Sequence, residues 1–98
     1  MNVNFHPKVD KIIRKLPRKE SARIVKVVEL FEEGGFNLTE KHLKSLERKL
    51  WELRAGRWRL LFGVIKNIAW ITNIIPKSTK KTPRKAIDLA LKRLETLK

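Results

Sequence analysis

LWELRAGRWRLLFGVIKNIAWITNII, residues 50–75, alternates apolar and polar positions with a period of two, unlike the helical spacing before and after it. Leu50–Arg54 and Arg57–Ile65 read as strands around a tight turn at Ala55-Gly56. Lys66-Asn67 then joins the second strand to a third, Ile68–Ile75. Two-residue turns set a register: Arg54 opposite Arg57, Glu52 opposite Arg59, Leu61 opposite Thr72, Gly63 opposite Trp70. Alternation puts Trp58, Leu60, Phe62, Val64, Ala69, Ile71 and Ile75 on one face. Glu52, Arg54, Arg57, Arg59, Trp70 and Thr72 fall on the other. One apolar and one cationic face is the pattern of an antiparallel sheet covered on one side.

Upstream, Val9, Ile12, Ile13 and Leu16 recur at helical spacing behind Pro7, and Pro17 ends that segment. Ile24, Val25, Val28 and Phe31 form the stripe of a second helix, stopped by Gly34 and Gly35. The two make a helical hairpin that covers the apolar face of the sheet. Residues 36–49 read as a connector with one helical turn after Thr39. Downstream, Thr82 is the expected cap and Pro83 the first residue of a closing helix, with Ile87, Ala90, Leu91 and Leu94 as its buried stripe. The expected class is therefore α+β: an N-terminal helical hairpin on a small antiparallel sheet, closed by a C-terminal helix, in one domain over residues 1–98.

A chain of 98 residues and 11.6 kDa buries about two-thirds of its unfolded surface, enough for one core without a metal or disulfide. Cysteine is absent and only His6 and His42 are available, which leaves no thiolate site and little basis for a histidine–zinc site. No cofactor is expected. MNVNFHPKVDK lacks the apolar core of a signal peptide. Leu60–Ile65, the longest apolar run, is far short of the ~20 residues of a membrane helix, so a cytosolic location is expected and no membrane partner.

The formal net charge is +14. Residues 1–35 carry eight Lys/Arg against five acids, and residues 36–98 carry sixteen against five, so the partner-facing half is expected to be C-terminal. A charge of this size points to a polyanion, RNA or DNA first, with an acidic protein or an anionic membrane as alternatives. A generally lysine-rich composition is the blander account.

Three arginines and one basic run carry the candidate chemistry. Arg54 and Arg57, placed directly opposite each other, repel unless an anion lies between them, and a guanidinium fork suits phosphate oxygens. The arginines therefore form either a phosphate clamp or a salt bridge from Arg59 to Glu52 with the others solvated. Lys77, Lys80, Lys81, Arg84 and Lys85 lie within nine positions with no acid among them. The last two fall in the first turn of the closing helix, against its dipole. That run is either a phosphate site at a helix N-terminus or an exposed basic loop. Ser78, Thr79 and Thr82 offer hydroxyls to phosphate or to the local backbone. Trp70 either stacks on a base or packs against the last helix, while Trp51 and Trp58 belong to the core. His6 is expected at the surface, and His42, in the connector, could approach the basic face but is not among the expected catalytic residues.

FHPKVDKIIRKLP, LWELRAGRWRLLF and PKSTKKTPRKAIDLALKRL together resemble the RelE/ParE toxin superfamily, most of all its phage-derived HigB-like branch. The most specific parts are Leu50–Arg54, Trp58–Phe62 and Lys80–Ala90 with Leu94. The family's first strand has only Asn2–Phe5 to occupy, which leaves that edge short or absent. The resemblance implies a ribosome-dependent endoribonuclease that cuts messenger RNA in the A site without a metal, through attack of a ribose 2′-hydroxyl on the adjacent phosphate. It also implies a cognate antitoxin, a helix-turn-helix protein of the HigA-like kind. By motif, Arg54 and Arg59 match the family's strand arginines, and Lys80 and Lys81 its lysines before the last helix. Arg59, Lys80 and Lys81 are then the catalytic candidates. Arg54, Arg57, Lys77, Thr82, Arg84 and Lys85 are the candidates for holding RNA phosphate. Trp58 stands where a tyrosine is commoner, and the chain has no tyrosine. A ParE-like inhibitor of DNA gyrase and a non-catalytic RNA- or ribosome-binding protein are the competing functions.

Overall fold

A computed structural model describes residues 1–47, 49–78 and 80–98. Its elements in chain order are β1 (Asn2–Phe5), α1 (Pro7–Arg14), α2 (Arg18–Gly34), β2 (Leu43–Glu47), β3 (Leu50–Ala55), β4 (Trp58–Ile65), β5 (Ile68–Pro76) and α3 (Arg84–Glu95), with a 3₁₀ turn at Gly35–Asn37. The five strands form one sheet in the order β1-β5-β4-β3-β2. The class is α+β as expected, but the chain opens on a strand, and β1 pairs parallel to β5. The sheet is thus mixed rather than purely antiparallel.

Local chemistry accounts for the helices. His6 caps α1 by accepting the Lys8 N–H on Nδ1 at 3.1 Å, and Pro7 follows with its φ already helical. Burial, with Arg93 and Lys8 nearby, pulls the His6 pKa below its ordinary value and keeps that nitrogen an acceptor. Pro17 separates α1 from α2, and Gly35 leaves α2 at φ +54°. Val9, Ile24, Val27, Val28 and Phe31 are buried against the sheet. Ile12 and Val25, expected in these stripes, face solvent, and Val27 takes Val25's place.

The connector holds a strand. β2 pairs antiparallel with β3, Leu43 opposite Leu53, with a register shift between Ser45 and Glu47. The β3–β4 turn is Gly56-Arg57, one residue later than expected, because Gly56 supplies the left-handed φ of +62°. Arg59 therefore faces Arg54, and Glu52 faces Leu61. At Lys66-Asn67 both residues have positive φ, as a two-residue type I′ hairpin requires, and Gly63 faces Trp70 as expected.

A second correction comes from β5. The ladder runs Phe62 to Ile71 and Leu61 to Asn73, so Thr72 is the extra residue of a bulge. Thr72 and Asn73 both reach α3, donating to the carbonyls of Ala90 (2.8 Å) and Ala86 (3.0 Å). Beyond the bulge the parity is reversed. Ile74 joins the core under α1 and α2, and Ile75 packs with Leu50, Leu61, Ile87 and Ala90 under α3. The face read as open and cationic is therefore covered by α3, which buries Glu52, Arg59 and Thr72.

Gly63 sets how closely α3 approaches. A Cβ there would collide with Leu94 Cδ2 and lie 3.0 Å from the Lys49 carbonyl. Gly63→Ala should cost ~1–3 kcal/mol, the range for overpacking a filled core. Thermal unfolding should show it, and Leu94→Ala in the same chain should make the combined loss smaller than the sum of the two.

Candidate nucleic-acid interface

β2 and β3 diverge past the pair His42 and Arg54, where the Arg54 N–H donates to the His42 carbonyl at 2.8 Å. His42 Nδ1 lies 3.4 Å from the Arg54 carbonyl. Across β3 and β4, Arg54 and Arg59 face each other, a like-charge pair that requires an anion. The chain supplies its own. Glu52, two residues before Arg54 on the same face, is fully buried and accepts Arg54 Nε at 3.0 Å and Thr82 Oγ1 at 2.6 Å. Arg59 Nε is 3.9 Å from the same carboxylate. Arg59 also donates to Thr82 Oγ1 (3.1 Å) and the Lys80 carbonyl (3.4 Å). One carboxylate thus serves two guanidinium groups, and one positive charge remains in excess.

Above this network opens a cleft of about 410 Å³ lined by Lys41, His42, Arg54, Gly56, Trp58, Arg59 and Lys77. Its lining holds four cations and one histidine and no acid. Arg59 forms the buried floor, Arg54 is one-third exposed, and Lys41 and Lys77 are solvent-facing. The Lys77 N–H donates to the Arg57 carbonyl at 2.6 Å, which ties the start of the basic loop to the β3–β4 turn.

The expected site residues divide three ways. Arg54, Arg59 and Lys77 meet in the cleft, and Thr82 braces its floor instead of capping α3; Pro83 takes the cap position, ahead of α3 rather than as its first residue. Lys81 lies in an adjoining groove of about 190 Å³ with Lys44, Ser45, Leu46, Thr82 and Ile87. Lys80 contributes its carbonyl to Arg59, and its side chain, like that of Lys85, is exposed. Arg57 and Arg84 lie outside the cleft lining. Arg57 is bonded to Glu20 at 2.6 Å and stacked on Trp58, 4.8 Å from its ring centre. Hydrogen bonds from Arg57 and Trp58 hold the Glu20 carboxyl below its ordinary pKa. Arg84 reaches Glu47 (2.7 Å) and Asp88 (2.9 Å), which raise its pKa and offset a cation at a helix N-terminus. Thr79 is outside the described residues. Trp51 packs on the core beside Phe36 and Phe62, and Trp70 is half-buried on β5.

Lys41, Gly56 and Trp58 are the lining residues that the sequence reading did not bring to the site, and His42, placed there only within reach of the basic face, stands in its wall. Recognising β2 would have fixed Lys41 and His42 there, since pairing Leu43 with Leu53 sets His42 beside Arg54.

The pattern of the phage-derived Gp49-like protein family (DUF891) matches residues 11–95, all but the ends of the chain. The chain belongs to this family. Gp49-like proteins are a RelE-like toxin family of toxin–antitoxin systems, in agreement with the strand arginines and pre-helix lysines read above. No curated protein matches the chain. Among the described residues of this Gp49-like protein, no group of His, Cys, Asp and Glu side chains is arranged to hold a metal ion. No described helix is long and apolar enough to cross a membrane.

Proposed function

We propose that this Gp49-like protein is the toxin of a type II pair, of the HigB-like kind, and that it cuts messenger RNA on the ribosome. The observation that carries this reading is the acid-free cationic cleft with a histidine in its wall. RNA cleavage by its own 2′-hydroxyl requires three things: removal of that proton, stabilisation of a pentavalent phosphate, and a proton for the departing 5′-oxygen. The O2′–P bond forms as the P–O5′ bond breaks, leaving a 2′,3′-cyclic phosphate and a 5′-hydroxyl. Lys77, Lys41 and the open edge of Arg54 receive the phosphate, and the Arg59 charge lies beneath it. Histidine is the side-chain type that exchanges protons near neutral pH, and His42 is the histidine of this wall. Lys80 and Lys81 add positive potential from the loop. A helix-turn-helix antitoxin of the HigA-like kind would hold the toxin inactive in the cytoplasm.

The test is induction without antitoxin, followed by mapping of RNA 5′ ends. New 5′-hydroxyl ends are expected within translated regions only, and should vanish when ribosomes are kept off the message. Growth arrest with intact messages and inhibited gyrase would replace this reading with a ParE-like one.

A further inference from the structure

The cleft floor holds an ion pair that does not close. Arg59 Nε stands 3.9 Å from Glu52 Oε1, whereas a direct bond between guanidinium and carboxylate is about 2.7–2.9 Å long. Both groups are buried, where an ion pair offsets its lost hydration only through close contact. Between them stands Thr82. Its Oγ1 donates to Glu52 Oε1 at 2.6 Å and accepts from Arg59 Nη1 at 3.1 Å. Arg54 Nε takes the other carboxylate oxygen at 3.0 Å, and Arg59 Nη2 is turned to the Lys80 carbonyl at 3.4 Å. The hydroxyl is therefore a spacer between the acid and the guanidinium.

Chemistry fixes the direction of its proton. A carboxylate only accepts and a guanidinium only donates, so the single hydroxyl proton points to Glu52 and a lone pair to Arg59. With that proton committed, Thr82 has none to give an RNA phosphate. Nor does it serve α3, whose cap position is Pro83 and carries no side-chain hydrogen bond. A threonine just ahead of a helix commonly offers its oxygen to the first amides, but this one is turned to the sheet. The group it holds, Arg59, lines the cleft among Lys41, His42, Arg54 and Lys77. Closed onto Glu52, the Arg59 charge would be matched by the carboxylate, and less of its field would reach a phosphate in the cleft.

We propose that Thr82 is a positioning residue: its hydroxyl keeps Arg59 from closing onto Glu52, and so keeps the guanidinium charge available to the phosphate being cleaved. The inference rests on RNA cleavage in this cleft, and it gives Thr82 a part in the rate of that reaction, acting through Arg59 without touching RNA.

The experiment compares Thr82→Val, which removes the hydroxyl at nearly constant volume, with Thr82→Ser, which keeps it. Without the hydroxyl, Arg59 should move about 1 Å to bond Glu52 directly. A misplacement of that size should lower kcat for translated message about 10²-fold. KM should stay within about twofold, because Lys41, Lys77 and Arg54 receive the ground-state phosphate. Thr82→Ser should return most of the lost rate. In NMR spectra of the purified full chains, the Arg59 Nε–H signal, assigned through Arg59→Lys, should move downfield in Thr82→Val and stay near its wild-type position in Thr82→Ser. Where the valine chain does not fold, Thr82→Ala supplies the same two readouts. An unmoved Arg59 signal in the chain without the hydroxyl overturns the proposal. So does a loss confined to KM or to stability, or a Thr82→Ser chain as slow as Thr82→Val. The spectra need no RNA, so a wild-type protein that cuts no message refutes the nuclease reading while the Arg59 signal still reports on Thr82.

Discussion

Glu52→Ala should lower stability by ~3–5 kcal/mol, the cost of leaving one partner of a buried ion pair behind. Against the ~5–15 kcal/mol of an ordinary domain this is a large share. Three segments lose their common acceptor: β3 through Arg54, β4 through Arg59, and the loop before α3 through Thr82. Arg59, 3% exposed, keeps the Thr82 hydroxyl and the Lys80 carbonyl, but no other acid is buried among the described residues. Two cations then face each other across β3 and β4 without the carboxylate they shared. Urea unfolding of the purified protein measures the loss, and a midpoint within experimental error of wild type would refute the account. Glu52→Gln keeps an acceptor for Thr82 and should fall between the two. The pair Glu52→Met/Arg59→Leu should recover much of the stability, because apolar residues of similar volume often replace a buried ion pair without loss. A chain of that kind, folded yet unable to cut RNA, would show that the Arg59 charge serves chemistry as well as packing.

The sequence displays the strands and helices because each repeats a period over several residues. It hides the two bulges, because one extra residue leaves no mark in composition. LKSLE does not alternate, since the register shift between Ser45 and Glu47 breaks its parity, so β2 reads as connector. With β2 goes His42. Thr72 hides in the same way, and its bulge moves Ile75 from one core to the other. Pairing over long separations is equally silent. Nothing local marks Glu20 as the partner of Arg57, 37 residues away, or Thr82 as that of Glu52, 30 away. Arg54, Arg59 and Lys77 were legible as a group because they recur on one face or crowd one loop. Which of them solvent reaches depends on where α3 lies, and α3 is placed by Thr72, Asn73 and Gly63.

His42→Gln should slow cleavage about 10²- to 10⁴-fold, the contribution of a positioned general acid or base. The amide keeps a polar group of similar reach beside the Arg54 carbonyl, so the fold and the β2–β3 pairing should survive. Other groups in the wall are poorly suited to proton exchange. Guanidinium groups stay charged at any working pH, and Arg59 is held on the cleft floor by Thr82 and Glu52. Lys41 and Lys77 are exposed and suited to binding, so Lys77→Gln should raise KM for translated message more than it lowers kcat. His42→Gln should do the reverse. Single-turnover cleavage on programmed ribosomes separates the two effects. A His42→Gln protein that cuts at the wild-type rate would move proton transfer to the lysines and reduce His42 to a brace for the end of β2.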